Sequence, residues 1–111
     1  MNRIPMSAAA AALLRALIAR SGAQRDRILL TAVRSVDWHS LTMTGQRHEI
    51  ELRVLGPGSH AAVDRMRDGL EEAEFSIPGV MVADIGLLGD PRLAFDGSTT
   101  LTVEALTIDA D

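Results

Sequence analysis

The octapeptide HEIELRVL, residues 48–55, decides how the rest of the chain is read. Ile50, Leu52 and Val54 alternate with Glu49, Glu51 and Arg53, the period-two pattern of a strand with one face in a core and the other in water. A strand written this way belongs to an antiparallel sheet, because strands of a parallel sheet are covered on both faces and read as unbroken apolar runs. Gly56-Pro57-Gly58 ends it, and Ser59 is placed to cap a helix. In that helix Ala62, Val63, Met66 and Leu70 share one face, while Arg65, Arg67, Asp68, Glu71 and Glu72 lie mostly on the other.

Upstream of this strand, Ser7 is a good N-cap for the alanine- and leucine-rich segment that follows. Leu13, Leu14, Leu17 and Ile18 form an apolar stripe, and the helix should run to about Arg20 and stop at Gly22. Residues 28–36, from Ile28 to Val36, are dense in β-branched and aliphatic side chains and short enough for a strand. Downstream, Ile77-Pro78-Gly79 closes the second helical unit. VMVADIGLL then reads as a buried strand and TTLTVEALTI as its partner, with Asp90-Pro91 and Asp96-Gly97 punctuating the connection.

An offset of 52 residues brings the halves of the chain into line. Ser7 falls on Ser59, Arg15 on Arg67, Ile28 on Val80, Leu41 on Leu93, Met43 on Phe95 and Gly45 on Gly97. The expectation is an internal duplication of two helix-strand-strand units, about 7–58 and 59–111, within a single α+β domain spanning 1–111. The order αββαββ is satisfied by a four-stranded antiparallel sheet carrying both helices on one face, a circularly permuted ferredoxin-like layout. The second sheet face carries Glu49, Glu51 and Arg53 at one end, and Trp38, Met43 or the threonine-rich face of the last strand elsewhere. So incompletely polar a face suggests a subunit contact.

Composition narrows the function classes. A net charge of −4 and the absence of any Lys/Arg run give nothing that would hold a phosphate backbone, so no direct nucleic-acid contact is expected. With no cysteine there is no disulfide framework, thiolate zinc site or cysteine nucleophile. The start looks like a leader, with Arg3 ahead of an alanine run, but Arg15 interrupts the run and helical spacing continues through Arg20. No segment approaches the ~20 apolar residues that span a bilayer, so no membrane role is expected.

The densest patch of chemistry is WHSLTMTGQRH, residues 38–48, which holds the single tryptophan and two of the three histidines. A metal site built from His39, His48 and His60 with Asp37 or Glu49 has no recognisable ligand spacing, so no metal or cofactor is expected. The serines at 35, 40, 59, 76 and 98 lack a nucleophile elbow, and His48 and Glu49 point to opposite strand faces, so no catalytic residue is assigned and the chain is not expected to be an enzyme. The GPGS loop could cradle an anion but lacks a phosphate loop's lysine and spacing, and helix punctuation is its simpler role. Asp84, a carboxylate in an apolar strand, must face solvent, a partner chain or a cation, and a solvent-facing edge position is expected. The patch itself reads as a docking hairpin offering Trp38, His39, Met43, Gly45, Arg47 and His48.

Taken together, the first helix, DWHSLTMTGQRHEIELRVLGPG at 37–58, the amphipathic helix after it, FSIPGVMVADIGLL at 75–88 and DGSTTLTVEAL at 96–106 resemble the tail-terminator, or tail-completion, proteins of tailed phages and gene transfer agents. The resemblance is one of pattern over almost the whole chain. Its most specific parts are Asp37-Trp38-His39-Ser40, Gly45 with His48 and the alternation after it, and Asp96-Gly97 before the last strand. It implies a homo-oligomeric ring, commonly a hexamer, that caps the tail tube and joins it to the head connector. It also implies assembly in the cytoplasm and residence in a virion or phage-like particle, without a cofactor. The chain departs from the family at Arg25 to Leu30, where many relatives carry an aromatic and proline-rich stretch, so that loop's contact role does not carry over. A reading from the residues alone stays open beside this one: a small ferredoxin-like module that binds a ligand or partner at a sheet face or edge.

Overall fold

A computed structural model describes residues 4–110; residues 1–3, with the Arg3 of the leader-like start, and residue 111 lie outside the described part. The elements run α1 (Ala8–Ser21), β1 (Ile28–His39), β2 (Thr44–Val54), α2 (Ser59–Arg67), β3 (Val80–Leu87), β4 (Arg92–Leu93) and β5 (Thr99–Asp109). Short 3₁₀ turns at Arg25–Arg27 and Leu70–Glu72 follow the two helices.

The sheet is antiparallel throughout, with strand order β1-β2-β5-β3, and the two-residue β4 pairs with β5 beyond the end of β3. This is the order of the permuted ferredoxin-like layout, with β4 added. β2 and β5 are central because the longest period-two runs in the chain bury one face each. Ile50, Leu52 and Val54 on β2 meet Leu101, Val103 and Ala105 on β5 in a core closed by Leu13 and Leu17 of α1 and Ala62, Val63 and Met66 of α2. Burying such side chains stabilises by roughly 1.5–3 kcal/mol each, and with two phenylalanines and no tyrosine the aliphatic residues carry it.

Local chemistry sets the helix ends. The Ser7 hydroxyl accepts from the Ala10 N–H at 3.1 Å, and Gly22 ends α1 in the left-handed conformation at φ 67°. α2 departs from expectation at both ends. Its N-cap is Gly58 rather than Ser59, because Ser59 is buried as the first helical residue and its hydroxyl is bonded to Thr99 Oγ1 at 2.8 Å and to the Gly97 carbonyl. It stops at Arg67, since Gly69 turns left-handed, and Leu70 reaches the core from the separate 3₁₀ turn. The C-terminal ends of the helices meet: the Arg20 guanidinium donates to the Met66 and Asp68 carbonyls, and Arg65 Nε donates to the Ser21 carbonyl at 2.7 Å. Each arginine thus satisfies carbonyls that the other helix's end leaves unpaired.

The element order repeats, but the 52-residue offset does not hold to the end. It aligns Ile28 and Val80, the first residues of β1 and β3. At the last strand it sets core-facing Ile50 on Thr102, which faces away from the core. The slip arises in the connection after β3, which holds β4 and is longer than the turn after β1. Gly45 accordingly lies inside β2, whereas Gly97 sits in a turn at φ 86°.

Candidate functional site

The expected docking hairpin forms, but its residues divide between inside and outside. β1 and β2 pair from Ile28↔Val54 to His39↔Thr44, and Ser40 closes the turn, its N–H donating to the Met43 carbonyl at 2.9 Å while its hydroxyl accepts from the Met43 N–H at 3.2 Å. His39, Met43 and Arg47 are exposed and Trp38 is half-buried. Gly45 and His48 are buried, which corrects the expectation that both belong to the contact surface.

Gly45 is held by close approach. A Cβ there would stand 1.9 Å from the Thr107 carbonyl oxygen, so β5 can lie against β2 at this point only beside a glycine. His48 is fully buried on the helix-facing side of β2, where a surface or strand-end histidine was expected. Its Nδ1 lies 2.7 Å from Ser35 Oγ and its Nε2 lies 2.9 Å from Thr107 Oγ1. Burial pushes its pKa below the ordinary 6.5 and keeps the ring neutral. Serine beside histidine is the start of a nucleophilic constellation, and spacing alone does not pair Ser35 with His48, because strand register is not written in it. Here the third member is a hydroxyl rather than a carboxylate, and the imidazole is satisfied at both nitrogens, the arrangement of a structural polar cluster. The described residues contain no group of three or more His, Asp or Glu side chains placed to hold a metal.

The sheet face opposite the helices is graded from end to end. Trp38, Gly45, Ile108 and Met81 form one row across β1, β2, β5 and β3, and Val36, Arg47, Leu106 and Asp84 form the next. Then come Arg34, Glu49, Glu104 and Gly86, followed by Ala32, Glu51 and Thr102. The end near the β1–β2 turn is thus mainly apolar and the middle is charged. Asp84 is exposed on an edge strand, as expected of it.

Two loop tips expose large apolar side chains: Leu41 in the β1–β2 turn and Phe95 in the β4–β5 turn are fully exposed. The tips lie at opposite ends of the sheet, because β5 pairs its start with the end of β2, Thr99 with Val54, and its end with the start of β2, Ile108 with Gly45. The 11 residues of β2 span about 35 Å, most of the molecule's 46 Å length. The offset that set Met43 over Phe95 hinted that the tips correspond, but it could not place them at opposite poles. Hydrogen bonds tie down the second tip: Asp96 accepts from the Ser98 hydroxyl at 2.6 Å and from the Ser98 N–H at 2.9 Å, and it pairs with Arg53. The Ser98 hydrogen bonds, with help from the Arg53 charge, hold the Asp96 carboxyl at a pKa of about 2.

No helix among the described residues is long and apolar enough to cross a membrane. Comparison with protein-family models, curated proteins and solved structures finds no match for this chain.

Proposed function

We propose that the chain is a structural, ring-forming protein similar in role to phage tail terminators, capping a tail tube on one side and meeting a head connector on the other. One observation carries this reading: a single sheet offers an exposed apolar tip at each pole, Leu41 at one and Phe95 at the other, and its edge strands β1 and β3 each pair with a sheet strand on one side only. A subunit standing in a ring with its strands along the ring axis would turn one tip to each neighbouring assembly. The graded sheet face fits a protein that works by contact. In this reading the chain assembles in the cytoplasm, needs no cofactor and resides in the finished particle.

The test is to add labelled chain to polymerised tail tubes of its own carrier and image the sedimented tubes. Label at tube ends is expected, with the Leu41→Ser and Phe95→Ser variants each losing one of the two end contacts. Label spread along the tube wall, or none sedimenting, would overturn the proposal.

A second reading, a ligand-binding module, is favoured by the groove between α1 and β1. It encloses about 780 Å³ and is lined by Ile4, Met6, Leu14, Ile18 and Leu30, a size suited to a small apolar ligand. Saturable binding of a metabolite with concentration-dependent thermal stabilisation would select this reading instead.

A further inference from the structure

The edge strands of the sheet carry opposite, exposed charges on the same face, and the Leu70–Glu72 turn lies against β3 at Gly86. β1 forms one edge and β3 the other. Alternate residues of any edge strand turn an N–H and a C=O away from the sheet, ready to pair with another strand. Arg34 stands on β1 and Asp84 on β3, both on the face opposite the helices, as the rows through Glu49 and Glu104 and through Arg47 and Leu106 require. Arg34 is held only loosely within its own chain, its ion pair with Glu49 being 3.6 Å long with the arginine side chain 70% exposed. Asp84 has no salt-bridge partner among the described residues.

We infer that copies of this chain join head to tail, β1 of one copy pairing antiparallel with β3 of the next in the register that sets Arg34 opposite Asp84. Strand directions permit it: along β1-β2-β5-β3 they alternate up, down, up, down, so the next copy's β1 continues the alternation beside β3. The register also makes a match that charge alone does not require. Two residues on from Arg34 is Val36, and the antiparallel partner strand, after the bulge at Ala83, brings Met81 alongside it. Both are apolar, on the same face and exposed, Val36 by 40% and Met81 by 57%. One junction therefore neutralises the unpaired carboxylate, covers two exposed apolar side chains and extends the sheet hydrogen bonds.

Two-fold pairing of like edges at these positions brings like charges together instead, because β1 against β1 gathers two arginines and β3 against β3 gathers two aspartates. The protection that natural sheets give their edges is also thin along most of β1. β1 runs without a bulge from Ala32 to His39 and contains no proline. A head-to-tail contact is heterologous, so it generates a ring where the rotation closes and a filament where it does not. The inference rests on the ring reading above and says which surfaces build the ring.

The cysteine-free chain allows a clean test. The double variant Arg34→Cys/Asp84→Cys is oxidised at a concentration at which light scattering finds the wild-type protein assembled, and run on a non-reducing gel. A reducible ladder extending past the dimer is expected, with no covalent dimer from either single variant. In parallel, Arg34→Asp and Asp84→Arg should each weaken assembly by about tenfold or more, and the doubly reversed protein should recover it. A covalent dimer from Arg34→Cys alone, or full assembly of the wild-type protein with no ladder from the double variant, would overturn this junction while leaving the ring reading intact. A wild-type protein that stays monomeric alone and on tail tubes would overturn both.

Discussion

At the scale of single residues, His48 and Gly45 show what the polar lettering of residues 38–48 does. His48 exchanges its water for two hydroxyls, and its folded-state pKa is depressed by burial. Above the ordinary 6.5 both folded and unfolded chains hold it neutral and it contributes no pH dependence. Below that value the unfolded chain takes up a proton that the folded chain resists, so stability falls with falling pH. Urea titrations between about pH 7 and about pH 5 should register that loss in the wild-type protein and a flatter profile in His48→Ala. At neutral pH the same variant should be less stable by about 1–3 kcal/mol, since it strips partners from Ser35 and Thr107. Gly45→Ala must push the Thr107 carbonyl aside, and a cost of about 1–3 kcal/mol is expected by chemical denaturation. An unchanged midpoint would mean that β2 and β5 part easily at that point.

At the scale of elements, the sequence is legible where a pattern reports burial and silent where register or turn geometry decides. The alternation of Ile50, Leu52 and Val54 found β2 and the face it buries, and Ser7 and Gly22 found both ends of α1. The Leu70 periodicity could not reveal that Gly69 breaks the helix, because a 3₁₀ turn returns Leu70 to the same face. The pairing of Ser35 with His48 depends on the length of the turn at Ser40, which composition does not encode. Arg92-Leu93 is too short to signal a strand, and it is β4 that makes the second hairpin differ from the first. That second tip supplies its own prediction. With the Asp96 pKa held at about 2, its contribution to stability is present above the ordinary carboxylate value of 3.8 and is lost as pH falls through about 2. In Asp96→Asn the acid limb of an unfolding curve between about pH 4 and about pH 2 should therefore be shallower than in the wild-type protein.

At the scale of the whole molecule, the sheet is a strut about 35 Å long with apolar poles and oppositely charged edges. In the proposed role, poles and edges divide the work: edges for joining copies, poles for meeting other assemblies. The proposed role requires the chain to associate with itself. Size-exclusion chromatography with light scattering, over a range of concentrations and with tail-tube protein added, measures it most directly. A discrete multiple of the subunit mass is expected, alone or once tubes are present; a monomer under every one of these conditions would rule self-association out.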